Sequence, residues 1–266
     1  MRKSVVVFAS GIFYFLLLFL AEANAGTILV GAKGWYAEWD SAFDKAFADA
    51  ITTALPGFSS TVKPGTGFLV GPTAGYQSDN GDWSLSVAYM AFSSFTNKTE
   101  YEFSGVTVET KTEMQKRDLD IALSYSLSDY FKVFAGYKYV TCKYDVNFDD
   151  GSDFYEVKMT SSIPTAGAGL AFPLSEEIAL GLQFGLLYVF PEYKISDEKI
   201  KTENGYGISI EPNLTFLLSE SIMTQLGIRY QVYNVKFADP SYPMETTKND
   251  QLVGVTLAVM YLFNLQ

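Results

Sequence analysis

Gly205 to Tyr233 reads GYGISIEPNLTFLLSESIMTQLGIRYQVY. Two arms of alternating polarity flank a short break at Ser219-Glu220-Ser221. One set of alternate positions is large and apolar: Ile208, Ile210, Leu214, Phe216 and Leu218, then Ile222, Leu226, Ile228, Tyr230 and Val232. The other is small or polar: Gly207, Ser209, Glu211, Asn213 and Thr215, then Gln225, Gly227, Arg229 and Gln231. A period of two is the signature of a β-strand with two unlike faces, so the stretch predicts a hairpin.

The same alternation recurs along the chain, in arms at about 27–40, 66–78, 82–96, 113–127, 130–146, 156–172, 177–194, 204–218, 221–237 and 250–264. Connections alternate in length. Asp79-Asn80-Gly81, Ser128-Asp129, Pro173-Leu174-Ser175-Glu176 and Ser219-Glu220 are short, whereas 41–65, 97–112, 147–155, 195–203 and 238–249 are longer. Leu127-Ser128-Asp129, Leu174-Ser175-Glu176 and Leu218-Ser219-Glu220 repeat one pattern at the short connections. Long arms, tight turns at one end and long loops at the other predict an all-β, transmembrane antiparallel up-and-down barrel of about ten strands, with eight or twelve as alternatives. An even number puts both chain ends at the tight-turn, periplasmic end.

Alternation alone also fits a soluble, lipocalin-like barrel with its apolar face inward. The polar face decides in favour of the membrane. It is short rather than long and charged: Gly181, Gln183 and Gly185 in one arm, Ala122, Ser124 and Ser126 in another, Gly71, Thr73 and Gly75 in a third. Small side chains suit the crowded interior of a narrow barrel. The other face is bulky, as in Val253, Val255, Leu257, Val259, Tyr261 and Phe263. Ten such faces left in water would exceed what a monomer tolerates. Trp83, Tyr130, Phe172 and Phe216, near the tight turns, fit an interfacial aromatic girdle.

Charges on the small-residue face fall at one height. Antiparallel partners have numbers of constant sum, which sets Glu211 opposite Arg229 and Asp120 opposite Lys138. Lys33 lies about as far along its own strand, and Asp118 faces the same way as Asp120. Arg or Lys facing lipid costs about 2–4 kcal/mol, so these charges are expected in the lumen, paired. The layer is either a polar plug that holds the barrel shut or a constriction that selects solutes.

The first 25 residues predict a secretory signal. Arg2 and Lys3 precede an apolar run from Val5 to Leu20, followed by Ala23-Asn24-Ala25. The barrel domain then spans 26–266, and removing Arg2, Lys3 and Glu22 takes the net charge from −11 to −12. No basic cluster suits nucleic acid. Cys142 has no partner for a disulfide, and no later apolar run is long enough for a spanning helix.

Histidine is absent, which excludes Ser-His-Asp and Cys-His sites and any His-ligated zinc, so no enzyme is expected, and no metal or other cofactor. Asp118 and Asp120 resemble a carboxylate pair, but nearby Lys116 and Lys138 point to an ion-pair network instead. The acidic stretch Asp145 to Asp153 lacks the order of an EF-hand loop and reads as a solvated loop. Asn97-Lys98-Thr99 matches a glycosylation sequon, which carries little meaning in a bacterial envelope. Ser41 to Ile51 predicts a short helix, with Ser41 as cap, Asp44 at the third position and Phe43, Phe47, Ala50 and Ile51 as an apolar stripe, ended by Pro56-Gly57. It would pack over the barrel mouth or on the bilayer edge, or act as a lid or a hydrophobic entry site.

The signal segment, the alternation, the asymmetry of connections and the closing VGVTLAVMYLFNLQ together resemble the small bacterial outer-membrane barrels, the superfamily of the outer-membrane protein A barrel domain and the outer-membrane protein W group. The final strand ends in Leu265-Gln266 where that pattern usually has an aromatic. The resemblance implies an outer-membrane protein exported through the periplasm. Its partners would be membrane lipid, lipopolysaccharide and the barrel-assembly machinery, with a small solute or an extracellular ligand at the loops. It transfers no binding site. Two functions fit: a narrow channel for small solutes or hydrophobic compounds, and a non-conducting structural or surface-interaction protein.

Overall fold

The computed structural model describes residues 26–148, 153–196, 198–239 and 244–265. The signal segment, residues 149–152 of the acidic stretch and Gln266 lie outside the described residues. The ring is built from β1 (Gly26–Asp40), β3 (Gly65–Ser78), β4 (Trp83–Met90), β5 (Phe92–Phe103), β6 (Val106–Ser128), β7 (Phe131–Phe148), β8 (Asp153–Pro173), β9 (Ile178–Ile195), β12 (Gly205–Ser219), β13 (Ile222–Asp239) and β14 (Met244–Leu265). With β4 and β5 taken together as one arm, each arm pairs antiparallel with its sequence neighbours in this set, and β1 closes the circle by pairing both β14 and β3. Strands β4 and β5 are one arm broken at Ala91, so the ring has ten arms. Three short strands decorate it: β2 (Phe58–Lys63) on β5, β10 (Glu198–Ile200) on β9 and β11 (Thr202–Glu203) on β13. Closure leaves the ring with no free edge, the condition for backbone polar groups to enter a bilayer.

The hairpin expected from Gly205 to Tyr233 is β12–β13. Ser209 pairs with Gln231 and Asn213 with Gly227, so the expected register holds. Between them the ladder skips Glu211 and Pro212, where proline has no N–H to donate.

Side-chain polarity inverts along the strands. On β13, Leu226 and Ile228 point outward and are exposed, while Gln225 and Arg229 point inward. Further from the turn, the outward positions become Asn234 and Lys236 and the inward ones Tyr233, Val235 and Phe237, all three buried. β7 repeats this, with Val133 and Ala135 outside low on the strand, Lys143 and Asp145 outside high, and Val140, Cys142, Tyr144 and Val146 buried within. The physical reason is a change of solvent. An apolar belt suits acyl chains, and above it the wall meets water and encloses an ordinary hydrophobic core. Outward pairs such as Lys143–Glu156 at 2.8 Å and Lys158–Glu156 at 2.9 Å mark the watery zone. Exposed pairs contribute little stability, so they report location rather than strength. At the turn end, Tyr130 and Phe172 are exposed and stacked with centroids 6.3 Å apart, as a girdle requires.

Several segments expected to be loops are strand. Residues 97–112 form the upper part of β5–β6, paired up to Phe103 and Val106. Ser104 and Gly105 make the turn with φ of 49° and 81°, the left-handed geometry of a two-residue hairpin. One face of this hairpin carries Lys98, Glu100, Glu102, Glu109 and Lys111 and the other Thr99, Tyr101, Phe103, Val106, Val108 and Thr110, so a period of two runs to its tip. Likewise 195–203 contains β10 and β11, and the described part of 238–249 includes the start of β14.

Helix α1 (Ala42–Ala54) follows β1 at the far end from the tight turns. Ser41 caps it, its Oγ accepting from Asp44 N at 3.3 Å. Its buried residues are Ala42, Phe43, Asp44, Ala46, Ala48 and Ala50; of the expected stripe, Phe43 and Ala50 are buried and Phe47 and Ile51 half-buried. Alanine on several sides lets the helix sit within the barrel end, against β14, β13, β2 and β5, rather than on one surface.

Candidate functional site

Inward side chains divide the barrel into three levels. The lowest is a cavity of about 380 Å³ that runs from the tight turns to mid-height. Ser84, Ser124, Thr165, Ser209, Gln183 and Gln225 supply its polar walls. Lys132 lies at its turn end, and Lys33, Asp120, Lys138, Glu211 and Arg229 form its upper part.

The middle level is a charged belt that brings together Lys33, Asp118, Asp120, Lys138, Glu211 and Arg229. β6 and β7 bring Asp120 opposite Lys138. Lys138 Nζ lies 3.1 Å from Asp118 and 3.0 Å from Asp120. Arg229 reaches Asp120 at 3.8 Å and Glu211 at 3.8 Å, and Lys33 lies 3.7 Å from Glu211. Glu211 also accepts from Thr256 Oγ1 at 2.8 Å. Lys116 joins through Asp118, both side chains fully enclosed. The sequence placed Lys116 near the belt but gave no sign that it would be the most buried cation. Its neighbour is Trp39, whose ring centroid lies 5.9 Å from Lys116 Nζ. Trp35 does the same for Arg229 at 5.1 Å. Such contacts favour a desolvated cation.

The belt is uneven in how well its members are satisfied. Lys138 is held by two short contacts, whereas both carboxylates of Arg229 stand at 3.8 Å and its one hydrogen bond goes to Gln231 Oε1 at 3.3 Å. Arg229 Nε, Gln231 Nε2 and Trp35 Nε1 are buried donors without an acceptor among the described residues.

The upper level is sealed. Trp39, Phe43, Phe95, Tyr144, Tyr193, Tyr233 and Phe237 fill the bore and are almost wholly buried. Phe43 of α1 packs on Tyr144 at 5.3 Å and on Tyr193 at 6.0 Å. Polar anchors hold the helix in place. Asp250 accepts from Trp39 Nε1 at 3.0 Å and from Ala42 N at 3.3 Å. Asp44 accepts from Asn97 Nδ2 at 2.7 Å, and Asn97 Oδ1 accepts from Gly65 N at 2.7 Å. Burial pushes the Asp44 carboxyl up to about 6, against the hydrogen bonds from Asn97 and Thr112 that favour its charged form. Aromatic residues at Trp35 and Trp39 were visible in sequence, but their inward aim depends on the polarity inversion, which the sequence did not announce.

No protein-family model matches the chain, and no curated protein does. Solved structures do match. The outer membrane protease OmpT from Escherichia coli is 9% identical, over 91% of this chain and 97% of that one, with a TM-score of 0.44. The outer membrane protein OprG from Pseudomonas aeruginosa is 15% identical, over 90% and 97%, with a TM-score of 0.36. The transport unit of the autotransporter AIDA-I from Escherichia coli is 9% identical, over 89% and 90%, with a TM-score of 0.46. At such identities the likeness concerns architecture alone. By its own strand order, register and outward apolar belt, the chain is a transmembrane up-and-down β-barrel of ten arms.

Proposed function

We propose that the protein is a bacterial outer-membrane barrel, exported through the periplasm, that is closed to solute flow and presents its tall strand wall outside the cell. One observation carries this reading. The bore above the charged belt is filled by buried aromatic side chains and by α1, with Lys116 and Asp118 fully enclosed below them. Ions do not cross a packed core of native density. On this reading the partners are bilayer lipid at the apolar belt, lipopolysaccharide at the wall above it, the assembly machinery during insertion, and a ligand at the outer hairpins. The chain has no histidine, and the reading assigns it no catalysis.

A second reading, a gated channel for small solutes or hydrophobic compounds, is favoured by the cavity of about 380 Å³ beneath the seal. It requires α1 to leave the bore. Conductance in planar bilayers separates the two. The closed reading expects no steps from the wild-type protein. It expects steps once residues 42–54 are replaced by a flexible Gly/Ser linker. Stepwise conductance of the intact protein would favour the gated channel.

A further inference from the structure

The lower cavity is closed above by the aromatic seal, reaches toward the tight turns and carries a surplus of positive charge, in a chain whose net charge is −11. Its lining contains four cations, Lys33, Lys132, Lys138 and Arg229, against two carboxylates, Asp120 and Glu211. Asp118 above the cavity pairs with both Lys116 and Lys138, and Lys116 offsets the negative charge it adds, so the surplus stands. Lys132 has no hydrogen bond or ion pair among the described residues, although its stem is packed beside Gly169, where a Cβ would stand 2.8 Å from Lys132 Cε. Arg229 is the second loosely held cation, stacked on Trp35 with both carboxylates at 3.8 Å.

Arg229 Nε lines the cavity and is buried without an acceptor among the described residues; Gln231 Nε2 and Trp35 Nε1, on the two side chains Arg229 touches, are unsatisfied as well but lie outside the cavity lining. Buried donors normally find an acceptor, because an unmade hydrogen bond costs about 1–3 kcal/mol. Surplus positive charge and the unsatisfied Nε of Arg229 at the cavity roof ask for the same thing: an oxyanion. From this we infer that the cavity is a binding site for a small soluble anion bearing a phosphate or carboxylate group, entering from the tight-turn side. Arg229 would hold the anion at the roof through charge-assisted hydrogen bonds, and Lys33 and Lys132 would neutralise it from the walls. The volume falls within the range of small-molecule sites. Ser84, Ser124, Thr165 and Ser209 leave hydroxyls for the rest of the molecule. Entry needs no path through the barrel, so the site stands whether or not the protein conducts.

Isothermal titration of the full mature protein in neutral detergent at low salt tests this, with inorganic phosphate and succinate as separate probes. Saturable binding of at least one is expected, and which one binds distinguishes a phosphate site from a carboxylate site. Lys132→Gln and Arg229→Gln should each weaken it about tenfold, the scale of one lost charge-assisted hydrogen bond. Lys143→Gln, on the outer wall, should leave it unchanged. Should Arg229→Gln fail to fold, Lys132→Gln decides alone, since that lysine supports no ion pair. Absence of saturable heat with both probes overturns the site. So does equal affinity in wild-type and Lys132→Gln protein.

Discussion

Trp39, near the end of β1, and Asp250, within β14, are joined by a buried hydrogen bond of 3.0 Å from the indole N–H to a carboxylate oxygen. The other oxygen of Asp250 accepts from Ala42 N, the first residue of α1. One side chain thus ties the barrel closure to the helix that fills its end. Asp250→Ala would leave both donors buried without acceptors, at about 1–3 kcal/mol each. Faster protease cleavage in the segment from Leu55 to Lys63 should follow, with the barrel itself still heat-modifiable on gels.

Asp44 makes the seating of α1 sensitive to pH. Its carboxyl is raised from 3.8 to about 6 by burial. A raised carboxyl binds its proton more tightly when α1 is docked. The added stability is therefore full below about pH 4 and lost as pH rises through about 6. Asn97, Thr112, Ser41, Asp250 and Tyr101 are the polar and titratable groups that act on it. Hydrogen exchange of α1 should be slower at pH 5 than at pH 7.5. The contrast should shrink in Asp44→Asn.

Lys138 neutralises two carboxylates at once. Lys138→Met would leave Asp118 with Lys116 and Asp120 with only a distant Arg229. Breaking a buried pair in this way costs about 3–5 kcal/mol. A large fall in the unfolding midpoint in urea is expected. Lys143→Met, on the exposed wall, should shift it by less than about 0.5 kcal/mol.

Ile228 and Lys236 point outward from the same strand on either side of the polarity change. Ile228→Arg should cost about 2–4 kcal/mol in a bilayer. A change of Lys236 to alanine should be nearly silent, because its pair with Glu203 is exposed. Equal costs at the two sites would place the belt elsewhere.

Much of this was legible in the chain because sheets have a strict period. Alternation between Gly205 and Tyr233 gave the hairpin, its register and the inward set, and the same arithmetic put Asp120 opposite Lys138. Ser41 and Asp44 gave the helix start. What stayed hidden has one physical cause, the change of solvent partway up the wall. Above it, Tyr144, Tyr193 and Phe237 continue an apolar alternation on the opposite face, so the pattern survives while its meaning reverses. The β5–β6 tip alternates too, with Tyr101 and Val108 on one face and Glu100 and Glu109 on the other, yet it reads as a loop in sequence. The seal by α1 depends on which residues meet across the bore, and spacing within one strand cannot supply that.

The central claim is that bulky side chains of the belt touch acyl chains while short polar ones occupy the bore. Spin labels on single cysteines at Leu226, Leu257 and Gln225, in a Cys142→Ser background and in lipid vesicles, test it most directly. Labels at Leu226 and Leu257 should be relaxed strongly by oxygen, which partitions into lipid, and weakly by a water-soluble nickel chelate. The label at Gln225 should show the reverse. Nickel access at Leu226 and Leu257 equal to that at Gln225 would contradict the account.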